Sequence, residues 1–361
     1  MPRTIIGRQS FTGRGALSNP PGRFDKQQLA EVDDGWYQDE VPESINTTLE
    51  PDRAREVITT NDSPDIPFEQ SINPYRGCET ACVYCYARPS HAYMGLSPGL
   101  DFETRLFYKA DASKVLEGQL ARRGYVCKSI TLGANTDPYQ PVERRMKVTR
   151  AILEVLARTR HPVAIITKHA MILRDLDLLT DLARDGLVSV AVSVTTLDSE
   201  LKRVMEPRAA SPQARLRTLA ALSAAGIPTS VMAAPMIPAL NDHELEAILE
   251  AAAAAGVRRA GYVLVRLPYE IKDLFREWLA EHYPERAAHV MSLIRDMRGG
   301  RDYDPRFGTR MRGTGPYAQL LSNRFQLACR RLELNLKPRI PLDTSLFRPP
   351  GQAGAQLPLG L

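Results

Sequence analysis

Six short apolar segments, each followed by a segment with helical spacing, dominate residues 68–282 of this 361-residue chain. The apolar segments are rich in β-branched residues and predict strands, while the segments between them predict amphipathic helices. The predicted strands span 71–75, 126–132, 162–168, 188–196, 229–234 and 262–266. Strands alternating with helices predict a parallel α/β sheet with right-handed crossovers. Periodicity alone leaves open whether this sheet curls into a barrel or lies flat and doubly wound.

The segment before the first predicted strand has a different composition. Residues 1–67 show little periodicity, and arginines are interleaved there with glycine and proline, at Arg8, Arg14 and Arg23. Such a composition predicts an extended or partly disordered N-terminal arm. Its basic half is either a partner-binding segment or a bare tail.

Residues 283–361 are expected to form a helical C-terminal extension. Helices are predicted at 287–297 and 317–334, separated by a basic, glycine-rich loop and followed by a Pro/Gly-rich tail. The sequence contains neither a Gly-x-Gly-x-x-Gly nor a Gly-x4-Gly-Lys-Ser/Thr string, so a nucleotide-binding α/β fold would lack its usual phosphate loop.

The bulk composition is that of a soluble protein, with 43% apolar residues and a net charge of +5. No apolar run approaches the length of a membrane-spanning helix. The first residues lack the apolar core of a signal peptide. We therefore expect a cytoplasmic protein without a membrane partner.

Three of the five cysteines, Cys78, Cys82 and Cys85, fall in one turn-rich loop with the spacing C-x3-C-x2-C. Three thiols cannot all pair with one another as disulfides, and soft thiolates suit zinc, copper(I) or an iron–sulfur cluster. A structural zinc site needs a fourth ligand, which His91 could supply. An iron–sulfur cluster normally takes four cysteines, so three would leave one iron open.

The cysteine spacing, with Tyr84 just before the last cysteine, resembles the signature of the radical S-adenosylmethionine (radical SAM) enzymes. The string Asn-Pro-Tyr-Arg-Gly-Cys…Cys-Val-Tyr-Cys-Tyr-Ala-Arg-Pro at 73–89 resembles the relatives of spore photoproduct lyase. This resemblance implies a partial (β/α)6 TIM-like barrel at 68–282. It implies a [4Fe-4S] cluster on the three cysteines, with the amine and carboxylate of SAM on the fourth iron.

The resemblance also implies an activity. An external one-electron reductant of the flavodoxin or ferredoxin type would reduce the cluster, SAM would be cleaved, and a 5′-deoxyadenosyl radical would take a hydrogen atom from the substrate.

The carboxyl ends of the strands are where such barrels build their active sites. Thr136, Lys168 and Ser193 stand at the ends of the second, third and fourth predicted strands, and their hydroxyl and amine groups suit the carboxylate and ribose of SAM. The resemblance implies SAM contacts at these three residues, with Thr195 as an alternative to Ser193, and Tyr84 packing beside the adenine. Each could instead be a solvated or capping residue.

Further polar residues lie near the strand ends. Glu206, Arg208 and Arg215 belong to a stretch that resembles a further family segment, in which polar groups often face SAM. Arg215 is instead expected to present charge on a helix face. His169 and His243 are expected to be surface or loop histidines.

One position departs from spore photoproduct lyase. The lyase has a cysteine that returns a hydrogen atom to the product, two residues before the hydroxyl residue that contacts SAM; Ala134 stands there in this chain. Cys127 and Cys329 are expected to be buried structural thiols. Repair of thymine dimers by the lyase route is therefore not expected.

Two functions remain open. The first is a radical SAM enzyme with an unassigned substrate. Nucleic acid is a candidate substrate because arginine contacts to phosphate could come from the basic loop, from Arg298, Arg301, Arg306, Arg310 and Arg312. That loop could equally be a solvated surface. The second function is a zinc-stapled nucleic-acid-binding module without catalysis, using Cys78, Cys82, Cys85 and His91.

Overall fold

A computed structural model describes residues 9–25, 44–338 and 340–351. The strands are β1 (Thr48–Pro51), β2 (Ile58–Thr60), β3 (Gln70–Ile72), β4 (Tyr75–Arg76), β5 (Arg105–Tyr108), β6 (Ile130–Leu132), β7 (Val163–Thr167), β8 (Val188–Ser193), β9 (Thr229–Met236) and β10 (Arg259–Leu264). The α-helices are α1 (Leu100–Thr104), α2 (Ala112–Leu120), α3 (Glu143–Met146), α4 (Val148–Arg158), α5 (Leu176–Arg184), α6 (Ser199–Met205), α7 (Pro212–Ala224), α8 (Leu245–Ala254), α9 (Ile271–His282), α10 (Pro284–Asp296) and α11 (Gly315–Arg331).

One sheet has the strand order β10-β9-β8-β7-β6-β3-β2. Its strands from β3 to β10 are parallel and follow chain order, whereas β2 joins the edge antiparallel to β3. Over the described residues the edge strands β2 and β10 do not pair with each other. The sheet is therefore an open, partial (β/α)6 barrel, and the expected fold class is confirmed.

The predicted strands are present, but their bounds differ by a few residues: the fourth ends at Ser193 instead of residue 196, and the sixth spans Arg259–Leu264 instead of 262–266. The first two differ for reasons that the pairing shows. The second begins at Ile130 instead of residue 126, because the strands on either side of it start opposite that residue, at Gln70 and Val163. The first divides into β3 and β4, because Tyr75 turns away to pair with Tyr108 of β5. Strands β1, β4 and β5 form a small second sheet. These strands are too short for an alternation of apolar and polar residues to predict them.

Described parts of both termini pack against the barrel. Residues 9–25 contain no helix or strand, yet Phe11, Ala16 and Leu17 are buried. Near the other terminus, the ring of Phe347 packs edge-on against the ring of His161, with the ring centroids 5.2 Å apart. Arg8, the acidic residues 33–42 and the end of the tail lie outside the described residues. No helix in the described ranges is long and apolar enough to span a bilayer.

Gly133, just after β6, brings two strand ends together at the carboxyl edge of the barrel. Its φ is +89°, and a Cβ there would lie 2.2 Å from the carbonyl oxygen of Ile166. Asp137 then accepts hydrogen bonds from the hydroxyl of Thr167 and the backbone N–H of Lys168, both at 2.7 Å. The loop after β6 and the end of β7 are thereby joined, which positions Thr136 and Lys168.

We predict that Gly133→Ala lowers the free energy of unfolding by more than about 2 kcal/mol, because the left-handed backbone and the clash with Ile166 both oppose a side chain. Gly118→Ala in α2 is the matched control, since nothing lies within 4 Å of its added Cβ. In a helix that substitution should stabilise by about 0.5–1 kcal/mol. Urea unfolding measures both; equal effects would contradict the prediction.

Candidate active site at the barrel mouth

The cysteine loop has little regular structure and is held by side chains from elsewhere. Gln140 accepts from the backbone N–H of Glu79 at 2.8 Å and donates to the carbonyl of Gly77 at 3.2 Å. Arg88 donates to the carbonyl of Cys82 at 2.9 Å. These bonds satisfy buried backbone groups that no strand partner can reach.

A fully buried ion pair joins this loop to the N-terminal segment. Arg88 pairs with Glu103, and both side chains are 0% exposed. Glu103 also accepts from the backbone N–H groups of Gly15 at 3.0 Å and Ala16 at 2.9 Å. A Cβ on Gly15 would lie 2.0 Å from the carbonyl oxygen of Ala81. The segment around Gly15 therefore lies directly against the cysteine loop.

Arg14 belongs to the same contact and is not a surface cation. Its guanidinium donates to the carbonyl of Glu103 and to the hydroxyl of Thr47, both at 3.0 Å. Arg23, in turn, pairs with Glu270 at 3.3 Å. Neither of these arginines in the described arm has the unpaired exposed charge expected of a nucleic-acid-binding tail.

Cys78 and Cys82 are buried, Cys85 is partly buried, and none of the three is in a disulfide. Burial raises the pKa of Cys78 to about 12 and raises the pKa of Cys82 and Cys85 as well. The Cys85 thiol further raises the pKa of both Cys78 and Cys82, and Cys78 raises that of Cys82, because a neighbouring negative charge disfavours ionisation. Metal ligation would supply the charge compensation that a buried thiolate needs.

A buried carboxylate, Glu206, connects the cysteine loop to the barrel. It accepts from the hydroxyl of Tyr84, from the hydroxyl of Thr195 at 2.8 Å and from the guanidinium of Arg215. Burial alone would raise the pKa of Glu206, but Arg215 and Lys168 outweigh burial and lower it to about 2. Glu206 is therefore an anion at neutral pH.

Arg215 corrects one expectation, because it lies inside the site and not on a helix surface. It is 1% exposed and also donates to the carbonyl oxygens of Ser193 at 3.1 Å and Ala210 at 2.9 Å. Helical periodicity could not reveal this, since the residue that neutralises it, Glu206, lies on another element.

Lys168 lies over the ring of Tyr84, with Nζ 5.9 Å from the ring centroid. Burial would lower its pKa, but neighbouring Cys82 and Glu206 raise it above the ordinary value, so the amine is cationic. Across the described ranges Nζ makes no hydrogen bond or ion pair. A cation beside the cysteine loop with unused donors can bind a carboxylate.

The three hydroxyl residues expected to contact SAM differ in their bonds. Thr136 donates to the carbonyl of Tyr75 at 3.0 Å, and Thr195 is bonded to Glu206 and to the carbonyl of Ala234. The hydroxyl of Ser193 makes no hydrogen bond to any described residue. Ser193 ends β8 and Thr195 lies just after it. Of these two alternatives, Ser193 is the one whose hydroxyl can take a new partner.

His169 is buried, which corrects the expectation of a surface histidine, whereas His243 is exposed. His169 Nε2 lies 3.0 Å from the hydroxyl of Thr80, which in turn lies 3.2 Å from Sγ of Cys78. Burial lowers the pKa of His169 and favours the neutral ring.

The proposed fourth ligand of the zinc alternative, His91, is engaged through one ring nitrogen only. Its Nε2 lies 3.0 Å from the carbonyl oxygen of Arg105 and its ring packs edge-on against Phe102, while the buried Nδ1 has no hydrogen-bond partner among the described residues. Among the described residues no three His, Cys, Asp or Glu side chains converge on a point suited to one metal ion. A cluster makes a different demand, because each thiolate binds its own iron.

Two of the five arginines expected to contact phosphate, in the loop between α10 and α11, are held by other parts of the chain. Arg298 is 2% exposed and donates to the carbonyls of Val265 and Arg310, both at 2.8 Å. Arg310 pairs with Asp65, and its side chain is only 13% exposed. Arg301, Arg306 and Arg312 are exposed, and the pair of Arg306 with Asp304 leaves 71% of the Arg306 side chain accessible.

The other two cysteines lie away from the site. Cys329 is buried in α11, where Asn335 Nδ2 lies 3.7 Å from its sulfur. Cys127 is only partly buried, because it precedes β6 in a loop, so the expectation of burial was wrong for this residue. Ala134, where the lyase has a cysteine, follows β6 at the opposite end of the strand.

Comparisons with known proteins agree with this geometry. The profile of the Radical SAM superfamily matches residues 72–252. An uncharacterized protein of Mycobacterium tuberculosis is 39% identical over 232 residues, which cover 64% of this chain and 68% of that protein. The radical SAM Nalpha-GlyT isomerase of Pseudomonas phage M6 is 22% identical over 270 residues, 74% of this chain and 51% of the isomerase.

Among solved structures, spore photoproduct lyase complexed with dinucleoside spore photoproduct is similar at a TM-score of 0.57 and 15% identity, over 79% of each chain. This similarity shows a shared fold. The chain belongs to the radical SAM superfamily. It is a radical SAM enzyme, and its family uses a [4Fe-4S] cluster and SAM. The family and cofactors expected from the cysteine motif are confirmed.

We predict that Glu206→Gln lowers stability at pH 7 by about 3–5 kcal/mol, because Arg215 is left as an uncompensated buried charge. The folded pKa of about 2 lies below that of an unfolded glutamate. The carboxylate therefore stabilises fully above about pH 5, and this contribution is lost as the pH falls toward 2. The wild-type and variant proteins should accordingly converge in stability at acid pH.

Urea unfolding of the apoprotein between pH 7 and pH 3 measures this difference. Glu200→Gln is the matched control, because Glu200 pairs with Arg203 on the exposed face of α6. Its effect should stay below about 1 kcal/mol. A loss for Glu206→Gln that is the same at every pH would contradict the assignment of an ionised Glu206.

Proposed function

We propose that this enzyme holds its cluster through Cys78, Cys82 and Cys85, binds SAM between the cysteine loop and the ends of β6–β8, and acts on a nucleic acid. The observation that carries the proposal is the cationic Lys168, whose Nζ makes no hydrogen bond or ion pair with any described residue and lies over Tyr84 of the loop that holds three unbridged thiols, two of them buried. When bound, the cluster and SAM supply a 5′-deoxyadenosyl radical that takes a hydrogen atom from the substrate.

Each proposed SAM contact has a distinct role. Lys168 binds the carboxylate of SAM with its unused donors, and the hydroxyl oxygen of Thr136 lies at the end of the neighbouring strand. Ser193 offers its unengaged hydroxyl to the ribose. Tyr84 is fixed through Glu206, so its ring and backbone form a rigid wall beside the adenine. Thr195 holds Glu206 and contacts SAM less directly.

The cysteine loop is also suited to exclude water. Two of its thiols are buried, and the segment around Gly15 covers it from outside. Exclusion of water protects a reactive intermediate from side reactions. An external one-electron reductant of the flavodoxin or ferredoxin type would reduce the cluster.

Nucleic acid is the proposed substrate class. Support comes from the solved neighbour of the same fold, spore photoproduct lyase, which is complexed with dinucleoside spore photoproduct. The reaction differs from that of the neighbour, because Ala134 offers no thiol to return a hydrogen atom. Within the loop between α10 and α11, Arg298 and Arg310 are held by other residues, so phosphate contacts from this loop would come from the exposed Arg301, Arg306 and Arg312.

We predict that the anaerobically reconstituted protein binds iron and sulfide and, with a strong reductant, releases 5′-deoxyadenosine from SAM. Cys82→Ala should abolish cluster binding and cleavage, whereas Cys127→Ala should retain both, since Cys127 lies outside the loop. Iron and sulfide analysis with chromatography of the nucleoside provides the measurement. Cleavage that survives in Cys82→Ala would refute the assignment.

We predict that the affinity for SAM depends on Lys168 independently of the cysteines. Lys168→Gln should weaken equilibrium binding of SAM by about tenfold or more, the loss of a charged hydrogen bond. Lys168→Arg should recover part of it. Cluster content must be equal in all three proteins, so that a change in affinity reports the lysine alone.

A further inference from the structure

Arg266 is the arginine at the barrel mouth whose donors are largely unused. It lies two residues after β10, at the carboxyl edge where the site is built. Its Nη1 lies 3.4 Å from Sδ of Met311, and its Nε is buried without a hydrogen-bond partner. A thioether is a weak acceptor. In the described part of the chain no carboxylate pairs with Arg266.

The position of Arg266 is fixed by its neighbours. The backbone N–H of Leu264 donates to the carbonyl of Met311 at 2.9 Å, and Arg298 donates to the carbonyl of Val265 at 2.8 Å. Burial, together with repulsion from Arg266, lowers the pKa of Arg298 to about 10. Two guanidinium groups thus lie near each other at one edge of the mouth. An anionic ligand would relieve that repulsion and satisfy the unused donors.

An exposed aromatic ring lies beside this cation. The guanidinium carbon of Arg266 is 5.1 Å from the ring centroid of Tyr86, which is 45% exposed although it directly follows Cys85. The hydroxyl of Tyr86 donates to the carbonyl of Ala134, which holds the ring in place. A fixed, exposed ring next to a cation is suited to a ligand that has both a flat face and a negative charge.

We propose that Arg266 and Tyr86 form the substrate subsite of this enzyme and bind one nucleotide unit, with its phosphate on Arg266 and its base against Tyr86. The inference rests on the proposed function and names the groups that recognise the substrate. Guanidinium matches phosphate in a bidentate arrangement, and aromatic rings stack on any base. An acidic peptide would satisfy Arg266 but would leave the ring of Tyr86 uncovered.

The test measures binding of a fluorescent single-stranded oligonucleotide, as DNA and as RNA, to the reconstituted, SAM-bound enzyme by anisotropy. Arg266→Gln should weaken binding about tenfold and flatten its salt dependence, while Arg266→Lys should recover part of the affinity. Tyr86→Leu should weaken binding about fivefold or more, whereas Tyr86→Phe, which keeps the ring but loses the bond to Ala134, should weaken it less. Arg331→Gln on α11 is the control, because Arg331 pairs with Glu250 on the outer helices.

Three outcomes would overturn the subsite. The first is that Arg266→Gln binds the oligonucleotides with the same affinity and salt dependence as the wild type. The second is that Tyr86→Leu and Tyr86→Phe bind with equal affinity. The third is that the wild-type protein prefers an acidic peptide to both nucleic acids. Cleavage of SAM by the wild-type enzyme without substrate is measured alongside. If that cleavage is present and the subsite fails, the proposed enzyme stands; if it is absent, the proposed function itself fails.

An independent observation concerns the buried chain of polar atoms from Cys78 through Thr80 to His169. The sulfur-to-hydroxyl distance is 3.2 Å and the hydroxyl-to-Nε2 distance is 3.0 Å. A cysteine bound to iron is a thiolate and has no proton to give. The hydroxyl of Thr80 must then donate to the sulfur and accept from Nε2–H of His169.

We infer that Thr80, oriented by His169, is a positioning residue that donates a hydrogen bond to the Cys78 sulfur of the bound cluster. Hydrogen bonds to ligand sulfurs are among the factors that set the reduction potential of such clusters. A donor stabilises the more negative, reduced cluster. Thr80 therefore makes the cluster easier to reduce.

A redox titration followed by electron paramagnetic resonance tests this role. Thr80→Val, which has the same shape without a hydroxyl, should shift the midpoint potential to a more negative value at equal iron content, and Thr80→Ser should restore it. His169→Phe keeps the hydroxyl but removes the residue that orients it, and should give a smaller shift in the same direction. An unchanged potential in Thr80→Val, or in His169→Phe if Thr80→Val does not bind the cluster, would overturn the inference.

Discussion

The buried Glu206 carboxylate is the contact on which the arrangement of the barrel mouth depends. It binds Tyr84 from the cysteine loop, Thr195 from the segment after β8 and Arg215 from α7, so three separate parts of the chain meet at one charge. A buried ion pair is not in itself a strong source of stability, because desolvation opposes it. The pair instead favours one arrangement of the cysteine loop over others, because any displacement of the loop would leave a buried charge or a buried hydroxyl without a partner.

The second buried pair, Arg88 with Glu103, acts in the same way between the cysteine loop and the segment around Gly15, because Arg88 also bonds the carbonyl of Cys82 and Glu103 the backbone of Gly15. The cysteine loop itself makes few of the backbone hydrogen bonds that are typical of helices and strands. Gln140 and Arg88 supply the missing partners with their side chains. The thiols are therefore held by a polar framework around an irregular backbone, in a loop that lies beside the end of β7, where Lys168 is over the ring of Tyr84.

The sequence predicted what is encoded locally. The β-branched run at β7 and the spacing of the three cysteines both lie within a few residues, and each led to the right conclusion. Arg215 and His169 were misjudged because their partners, Glu206 and Thr80, lie on other elements, and nothing in the surrounding pattern distinguishes a buried charge from a solvated one. The arginine loop shows the same limit, since Arg310 looks like a phosphate contact until Asp65, 245 residues away, is found beside it.

The contact between Gly15 and the cysteine loop has a consequence for biosynthesis. The segment around Gly15 is made before the carboxylate that binds its backbone, Glu103, which follows 88 residues later. Until Glu103 is made, the backbone of this segment lacks that partner. If the three thiols hold the proposed cluster, iron and sulfide would reach them most easily before this segment packs against the loop.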